Sequence, residues 1–414
     1  MSSLAEVLLK LLKDTFSKDK YKTDEIVIEE LSTAGANYSS KIYKIIVKPL
    51  YDGDDLHLFA KVAAWPEANR KEIDCDFAFE MEQYYYTVLM PVYEAIQDKY
   101  NIKAEDRFIS PKFYACNPKY LEETFVLEDL VAKGYSLYDR FEPLNWEFTS
   151  NAVRQLAKFH ALSFVFKNEY HEMYSNLKAK CDEAPNFFLN AIDMFRNNAK
   201  KVAESITDDK MRDRLLKFIG EHISEKMFLK YFGAGKWDVF AHGDYRASNI
   251  MYKKNEDGKI TRLIPVDYQN LHFGSPATDF LYLIHNGTDE EFRQQHLDEL
   301  RDIYYDTLSK WLTTMNMDPE TTFSKKDFDD DYQDMLPFGL LIASTCLPIV
   351  LVDVDDAPKI DENSKLDAFT VKMNDRFFNR YMPTLHAFAD LGILPYVLLH
   401  ASIEVSNVQD GEIT

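Results

Sequence analysis

The sequence predicts an α+β chain, bilobal, with a small mixed β-sheet N-lobe followed by a larger, mainly helical C-lobe. Two observations carry that reading. Up to about residue 124, short apolar runs suited to strands alternate around one strong helical pattern, whereas residues 145–235 and 287–400 hold longer helical patterns, such as 153–166 and 298–315. Between the two zones, Leu127-Glu128-Asp129-Leu130 has the place of a connection. The expected division is therefore residues 1–126 as N-lobe, 127–131 as hinge and 132–414 as C-lobe. At 414 residues and 46% hydrophobic, the chain can bury a large core, and no internal repeat or low-complexity tract interrupts it.

Each element has a local reason. Residues 1–20 carry Leu4, Val7, Leu8, Leu11, Leu12 and Phe16 with charged residues between them, the spacing of an amphipathic helix lying on the N-lobe. They lack the continuous apolar core and small-residue cleavage site of a secretory signal. Residues 56–64 alternate so that Lys61 falls on the face opposite Leu58 and Val62, which directs its ammonium away from the core. A helical pattern follows over Phe79, Glu80, Glu82 and Tyr84-Tyr85-Tyr86, where a helix turns at most two of the three tyrosines inward. Further on, Val239-Phe240-Ala241 reads as a strand whose chain turns at Gly243. Asn249-Ile250-Met251-Tyr252 and residues 262–266 form two short strands, and Asp257-Gly258 between them is a strong hairpin signal. Residues 335–352 are almost uncharged and long enough to suggest a membrane span. They contain Pro337, Gly339 and Pro348, with Asp334 and Asp353 at the ends and no basic flank to orient a span. A buried helix broken near Pro348, without membrane insertion, is the expectation.

The hairpin matters for what it joins. His242-Gly243-Asp244 presents Asp244 from a loop, Asn249 follows five residues later, and the returning strand delivers Asp267 beside Asn249. Phosphoryl transfer from a metal-bound nucleotide requires an Asp facing the attacking hydroxyl, an Asn on Mg²⁺, and a second Asp bridging metal and phosphates. The chain supplies all three in order, with Asp244 as catalytic residue and Asn249 and Asp267 as metal ligands. His242 is expected to brace the loop through its ring nitrogens. Lys61 needs a carboxylate to orient it toward phosphates. Glu82 and Glu80, two residues apart and therefore on different faces of the helix, are the candidates.

Composition removes several function classes. A formal net charge of −21 argues against nucleic acid as a partner. Four cysteines, Cys75, Cys116, Cys181 and Cys346, show neither metal-ligand spacing nor a disulfide pattern and suit a reduced, cytoplasmic setting. A protein kinase is disfavoured because Asp267 is followed by Tyr-Gln, and Asp279 comes too soon after it for a long activation segment. Aromatic residues make up 14% of the chain and no basic cluster is evident, so a pocket for an apolar, hydroxylated small molecule is expected over one for an anionic substrate.

The pattern His242-Gly243-Asp244-x-x-x-x-Asn249, then Val266-Asp267-Tyr268-Gln269, then Gly274-Ser275-Pro276-Ala277-x-Asp279, resembles the ecdysteroid kinase-like family, relatives of choline and aminoglycoside kinases. Thr33-Ala34-Gly35-Ala36-Asn37-Tyr38-Ser39-Ser40 resembles that family's nucleotide loop, Leu58-Phe59-Ala60-Lys61 its lysine strand, and the segment from Phe79 to Tyr86 its first lobe helix, with Phe79, Tyr86 and Pro91 keeping the family's spacing around Glu82. The segment from Phe125 to Leu130 resembles its hinge, and that from Leu156 to Ser163 a characteristic C-lobe helix. The resemblance covers roughly residues 30–290. It implies a protein-kinase-like fold, ATP and Mg²⁺ as cofactors, and transfer of the γ-phosphoryl group to a hydroxyl of an ecdysteroid or of a xenobiotic alcohol or glycoside, a detoxification chemistry. It also implies nucleotide contacts from Gly35, Asn37, Ser39, Ser40, Lys61, Glu82, Glu128 and Leu130. The loop has a single glycine, Gly35, with small neighbours that permit close backbone approach to phosphates. One position departs from the pattern: the family usually has Trp two residues after the catalytic Asp, where this chain has Arg246. A catalytically silent, kinase-like binding protein is the competing class, and retention of Lys61, Asp244, Asn249 and Asp267 favours the enzyme.

Overall fold

A computed structural model describes residues 4–17, 21–31, 40–63, 67, 70, 75–183, 187–233, 235–357 and 371–396. The first part is a five-stranded antiparallel sheet in the order β1-β2-β3-β5-β4, with β1 Tyr21–Leu31, β2 Ser40–Pro49, β3 Leu56–Ala63, β4 Phe113–Asn117 and β5 Thr124–Glu128. Period-two alternation gives this sheet one greasy face. Tyr43, Ile45, Val47, Leu58, Ala60, Val62 and Val126 share a core with Leu8, Leu12 and Phe16 of the helix Leu4–Phe16. The N-terminal amphipathic pattern thus becomes a helix packed on the sheet, as expected. Lys61, one residue out of phase with Ala60 and Val62, faces the other way.

On that second face runs the helix Cys75–Tyr84, continued by one π-helical turn, Tyr85–Leu89, and the helix Met90–Lys99. The wider turn swings two consecutive tyrosines inward: Tyr85 and Tyr86 are buried, while Tyr84 stays half-buried.

The rest of the described chain is helical apart from two short ribbons. The helix Trp146–Glu169, capped by Asn145 through its side-chain oxygen, buries Leu156, Phe159, Leu162 and Val165 in the main core. The helix Glu290–Thr314 lies along it, and every residue of the helix Pro276–Gly287 is buried. The strands β6 Ser136–Leu137, β8 Ile250–Lys254 and β9 Ile260–Pro265 make one ribbon, and β7 Val239–Ala241 pairs with β10 His272–Gly274. The β8–β9 hairpin turns at Asn255 to Lys259 with Gly258 at φ +80°, where the Asp-Gly signal put it.

The apolar stretch near residue 340 is a core element. The helix Lys325–Thr345 begins at a Ser324/Asp327 capping box and runs through Pro337; after Cys346 a short helix, Leu347–Leu351, restarts with Pro348 in its first turn. The break therefore falls beside Pro348. Residues Pro319–Leu351 pass the length and hydropathy test for crossing a membrane, and 72% of the most apolar window is buried inside the protein.

Candidate active site

The site is assembled where the face of the sheet bearing Lys61 meets the β8–β9 hairpin. Lys61 Nζ lies 2.7 Å from Glu82 Oε2, 2.6 Å from Asp267 Oδ1 and 3.2 Å from Gln269 Oε1. Glu80, the alternative partner, is instead exposed and paired with Lys180. Burial alone would depress the Lys61 ammonium, but the charges of Asp267 and Glu82 outweigh it and raise its pKa. For Asp267, burial pushes the carboxyl up, yet Lys61, then Arg246 and His242, hold it below the ordinary range. The group is graded in exposure: Lys61 and Glu82 show 8% and 2% of their side chains to solvent, Asp267 26%. Asp267 is the open end.

The backbone aims that carboxylate. Asp267 adopts φ +71°, ψ +66°, a left-handed conformation that Asp tolerates better than bulky or β-branched residues and that clusters at functional sites. Gly243 is left-handed too, and a Cβ there would come within 2.3 Å of the Asn270 carbonyl oxygen. Only glycine fits the turn that presents Asp244.

Asp244 and Asn249 form one unit. Asn249 Nδ2 donates to the Asp244 carboxylate (2.8 Å) and to its carbonyl (3.0 Å), and Val266 N donates to the Asn249 carbonyl (2.9 Å), so the hairpin sets Asp267 next to Asn249. His242, 1% exposed, ties the two strands' ends together. Its Nε2 donates to the Val266 carbonyl (3.1 Å), and the Asp244 amide lies 3.4 Å from its Nδ1. This is the bracing role expected of it. Arg246 Nε sits 3.0 Å from one Asp244 oxygen and 3.1 Å from the other. Although burial works against the Arg246 charge, Asp244 stabilises it.

Two supporting residues escaped the sequence reading of the site. Asp279, 1% exposed, accepts the backbone N–H groups of His242 (2.6 Å) and Gly243 (2.9 Å). His160 Nε2 meets the same carboxylate at 3.2 Å, its Nδ1 meets the Tyr304 hydroxyl at 2.7 Å, and Ser163 on the same helix accepts from Phe240 N. Both residues stood inside recognised motifs, which was the available signal; nothing local told that they clamp the Asp244 loop.

The nucleotide contacts are less completely described. Gly35, Asn37 and Ser39 lie outside the described residues, and Ser40 is buried at the start of β2. Glu128 bonds the Lys112 amide at 2.9 Å and pairs with Lys133. The Leu130 carbonyl accepts from Lys133 N and Tyr135 N, while its side chain packs with Met251 and Ile264. What Leu130 presents beyond that turn is an apolar wall.

The donor set fits Mg²⁺ brought in on nucleotide phosphates. Among the described residues no group of three His, Cys, Asp or Glu is placed to hold a metal ion. Mg²⁺ shared with phosphates requires only one or two protein oxygens and keeps several waters. Asp267, the half-buried carboxylate at the open end, and the Asn249 amide oxygen, on the branch opposite the Nδ2 committed to Asp244, are oxygens that could fill that role.

Arg140, Arg246 and Arg380, dispersed in sequence, line one recess together with Glu142, Leu144 and Asn286.

A sequence model of the ecdysteroid kinase-like family matches residues 34–317. No curated protein matches the chain. Among solved structures, choline kinase from Cryptosporidium parvum Iowa II superposes with a TM-score of 0.47 at 12% identity, covering 94% of this chain and 98% of its own. The GDP complex of aminoglycoside 2'-phosphotransferase-IIIa gives a TM-score of 0.43 at 12% identity over 83% and 90% of the two chains. A microcompartment-associated aminopropanol kinase gives 0.42 at 11% over 94% and 99%. With the family's motifs in order and its model matched over most of the length, the chain belongs to the ecdysteroid kinase-like family.

Proposed function

We propose that this protein moves the γ-phosphoryl group of ATP to a hydroxyl of an apolar small molecule, with an ecdysteroid-type sterol as first candidate acceptor and a plant or xenobiotic alcohol or glycoside as second. One observation carries the reading: a buried lysine bridged by Glu82 and Asp267, beside an Asp244–Asn249 pair on the same hairpin. Residues 1–126 serve as the nucleotide lobe, 127–131 as the hinge and 132–414 as the acceptor lobe. Bound ATP supplies the phosphoryl group, and Mg²⁺ neutralises the charge that develops on it. Lys61, oriented by Glu82, holds the α- and β-phosphates. Asn249 and Asp267 hold the metal through oxygen. Asp244 positions the acceptor hydroxyl and takes its proton. Gly35, Asn37, Ser39 and Ser40 line the phosphates, with Glu128 and Leu130 at the base. The product would be a dianionic, water-soluble conjugate, suited to storage or clearance in the cytoplasm.

A silent binding protein is the second reading, and the Arg246 guanidinium lying across both Asp244 oxygens favours it. Purified protein with ATP and Mg²⁺, offered hydroxylated steroids, phenolic alcohols and glycosides and followed by mass spectrometry, separates the two. A phosphate-sized mass gain on an acceptor establishes the kinase. Binding without any transfer establishes the silent protein. Preference for choline, aminoglycosides or a protein serine removes the acceptor assignment alone.

A further inference from the structure

The helix Pro276–Gly287 runs one face along the loop that carries Asp244. Near its start Asp279 takes the backbone N–H groups of His242 and Gly243, at 2.6 and 2.9 Å. Near its end Asn286 lines a small recess with Arg246, Ala247 and Ser248. Residues three and four apart share a helix face, so Asp279, Tyr282 and Asn286 stand in one row. Tyr282 falls between the two meetings, where the loop presents Asp244. It is 8% exposed, and its hydroxyl comes within hydrogen-bonding reach of the Asp244 carboxylate. The Cys346 thiol, at the break between the helices Lys325–Thr345 and Leu347–Leu351, reaches the same hydroxyl.

Of these neighbours the carboxylate is the stronger acceptor, so the phenol proton points to Asp244 and the thiol, a weak donor, is left to the phenol oxygen. Burial, then the Asp244 charge, raise the phenol well above its ordinary range, so Tyr282 keeps its proton and remains a donor. The carboxylate is thus held by Asn249 Nδ2 at 2.8 Å on one oxygen, by Arg246 Nε at 3.0 and 3.1 Å across both, and by the phenol. Arg246 and Asn249 stand on the same loop as Asp244 and move with it. Of the three donors, Tyr282 alone comes from a separate helix, buried along its whole length, and ties the carboxylate to the body of the lobe.

We propose that Tyr282 is a positioning residue for phosphoryl transfer, its phenol fixing the rotation of the Asp244 carboxylate against the buried helix so that an oxygen faces the arriving acceptor hydroxyl. The assignment rests on the kinase reading for the reaction; the contact itself stands on the helix and the loop. Lys61 has its bonds to Glu82, Asp267 and Gln269, and none to Tyr282, so loss of the phenol should appear in the rate and not in nucleotide binding.

Tyr282→Phe keeps the ring and removes one hydroxyl. With ecdysone and salicin as acceptors and saturating ATP and Mg²⁺, kcat should fall about tenfold to a hundredfold, while calorimetric affinity for ATP and the acceptor KM stay within about twofold of wild type. A merely structural tyrosine would change stability without that split. The contact is measured without turnover: urea unfolding of Tyr282→Phe, Asp244→Ala and the double variant should show a coupling of about fivefold or more in the unfolding constant. If Asp244→Ala does not fold, Asp244→Asn replaces it and should give a smaller coupling, because its amide oxygen still accepts. Additive variants, or an unchanged kcat in Tyr282→Phe, overturn the assignment and leave the kinase standing. Coupling with no transfer by the wild type to ecdysone, salicin or any other alcohol tried keeps Tyr282 on Asp244 and rejects the kinase.

Discussion

Removing the Asp279 carboxylate should unfasten the loop that carries Asp244. Asp279 is 1% exposed and holds three donors: His242 N at 2.6 Å, Gly243 N at 2.9 Å and His160 Nε2 at 3.2 Å. Hydrogen bonds to a charged group contribute about 1.5–3 kcal/mol each, and a buried amide left without an acceptor costs about 1–3 kcal/mol. These terms overlap, so Asp279→Ala is expected to destabilise by about 3–5 kcal/mol, the range for one partner removed from a buried charged cluster. Asp279→Asn keeps one oxygen but turns an N–H₂ toward the second amide, and should fall at roughly half that loss. The sign with pH follows from the carboxyl itself. Burial raises it, but His160, His242 and the Gly243 amide hold it below its ordinary value. Its stabilisation is therefore present above the unfolded pKa near 4, and is lost as pH falls through the lower folded value. Urea unfolding at pH 7 and at stepwise lower pH, alongside phosphoryl-transfer rate, measures both effects. An Asp279→Ala protein within about 1 kcal/mol of wild type, or one clearly destabilised yet fully active, would refute the clamp.

The remaining predictions concern the reacting groups. Asp244→Asn should fold and bind ATP but lose transfer by about a thousandfold or more, the scale of a missing general base; near-normal turnover removes Asp244 from the mechanism. Lys61→Met should weaken nucleotide binding and rate together, and Glu82→Ala should do so more mildly because Asp267 still holds the ammonium at 2.6 Å. Glu80→Ala should leave both unchanged, since its partner Lys180 is an exposed ion pair; a damaging Glu80→Ala would reassign the lysine's partner. Chelating Mg²⁺ should abolish transfer, and Asp267→Ala should abolish metal-dependent nucleotide binding; equal wild-type affinity for ATP with and without Mg²⁺, by calorimetry, contradicts the ligand assignment.

What was legible in the sequence was local. The Asp-Gly turn fixes which residues of β8 and β9 face each other, so the meeting of Asn249 with the end of β9 followed from turn chemistry. Alternation in β3 gave the direction of Lys61, and the two candidate glutamates were separated by helix geometry once the fold was in place. Contacts across the chain were not legible. His160 and Asp279 stand 119 residues apart, and no period links them. Arg140, Arg246 and Arg380 lie on different elements and read singly as surface arginines, so their meeting at one recess stayed hidden. The π-helical turn was equally invisible, because adjacent buried residues such as Tyr85-Tyr86 also occur on regular helices, as Tyr304-Tyr305 do.

That turn has a consequence for control. Tyr85 stacks on Tyr268, the residue after Asp267, with ring centroids 3.4 Å apart and planes at 11°, and its hydroxyl engages Ser110. The helix that carries Glu82 is thus riveted to the segment that carries Asp267, in addition to the lysine they share. Swinging the helix outward, as a switch would, breaks an aromatic stack and a buried charge cluster in one motion. Such a machine has its assembled form as its resting form. The lysine and its two carboxylates then stand in register before any nucleotide arrives.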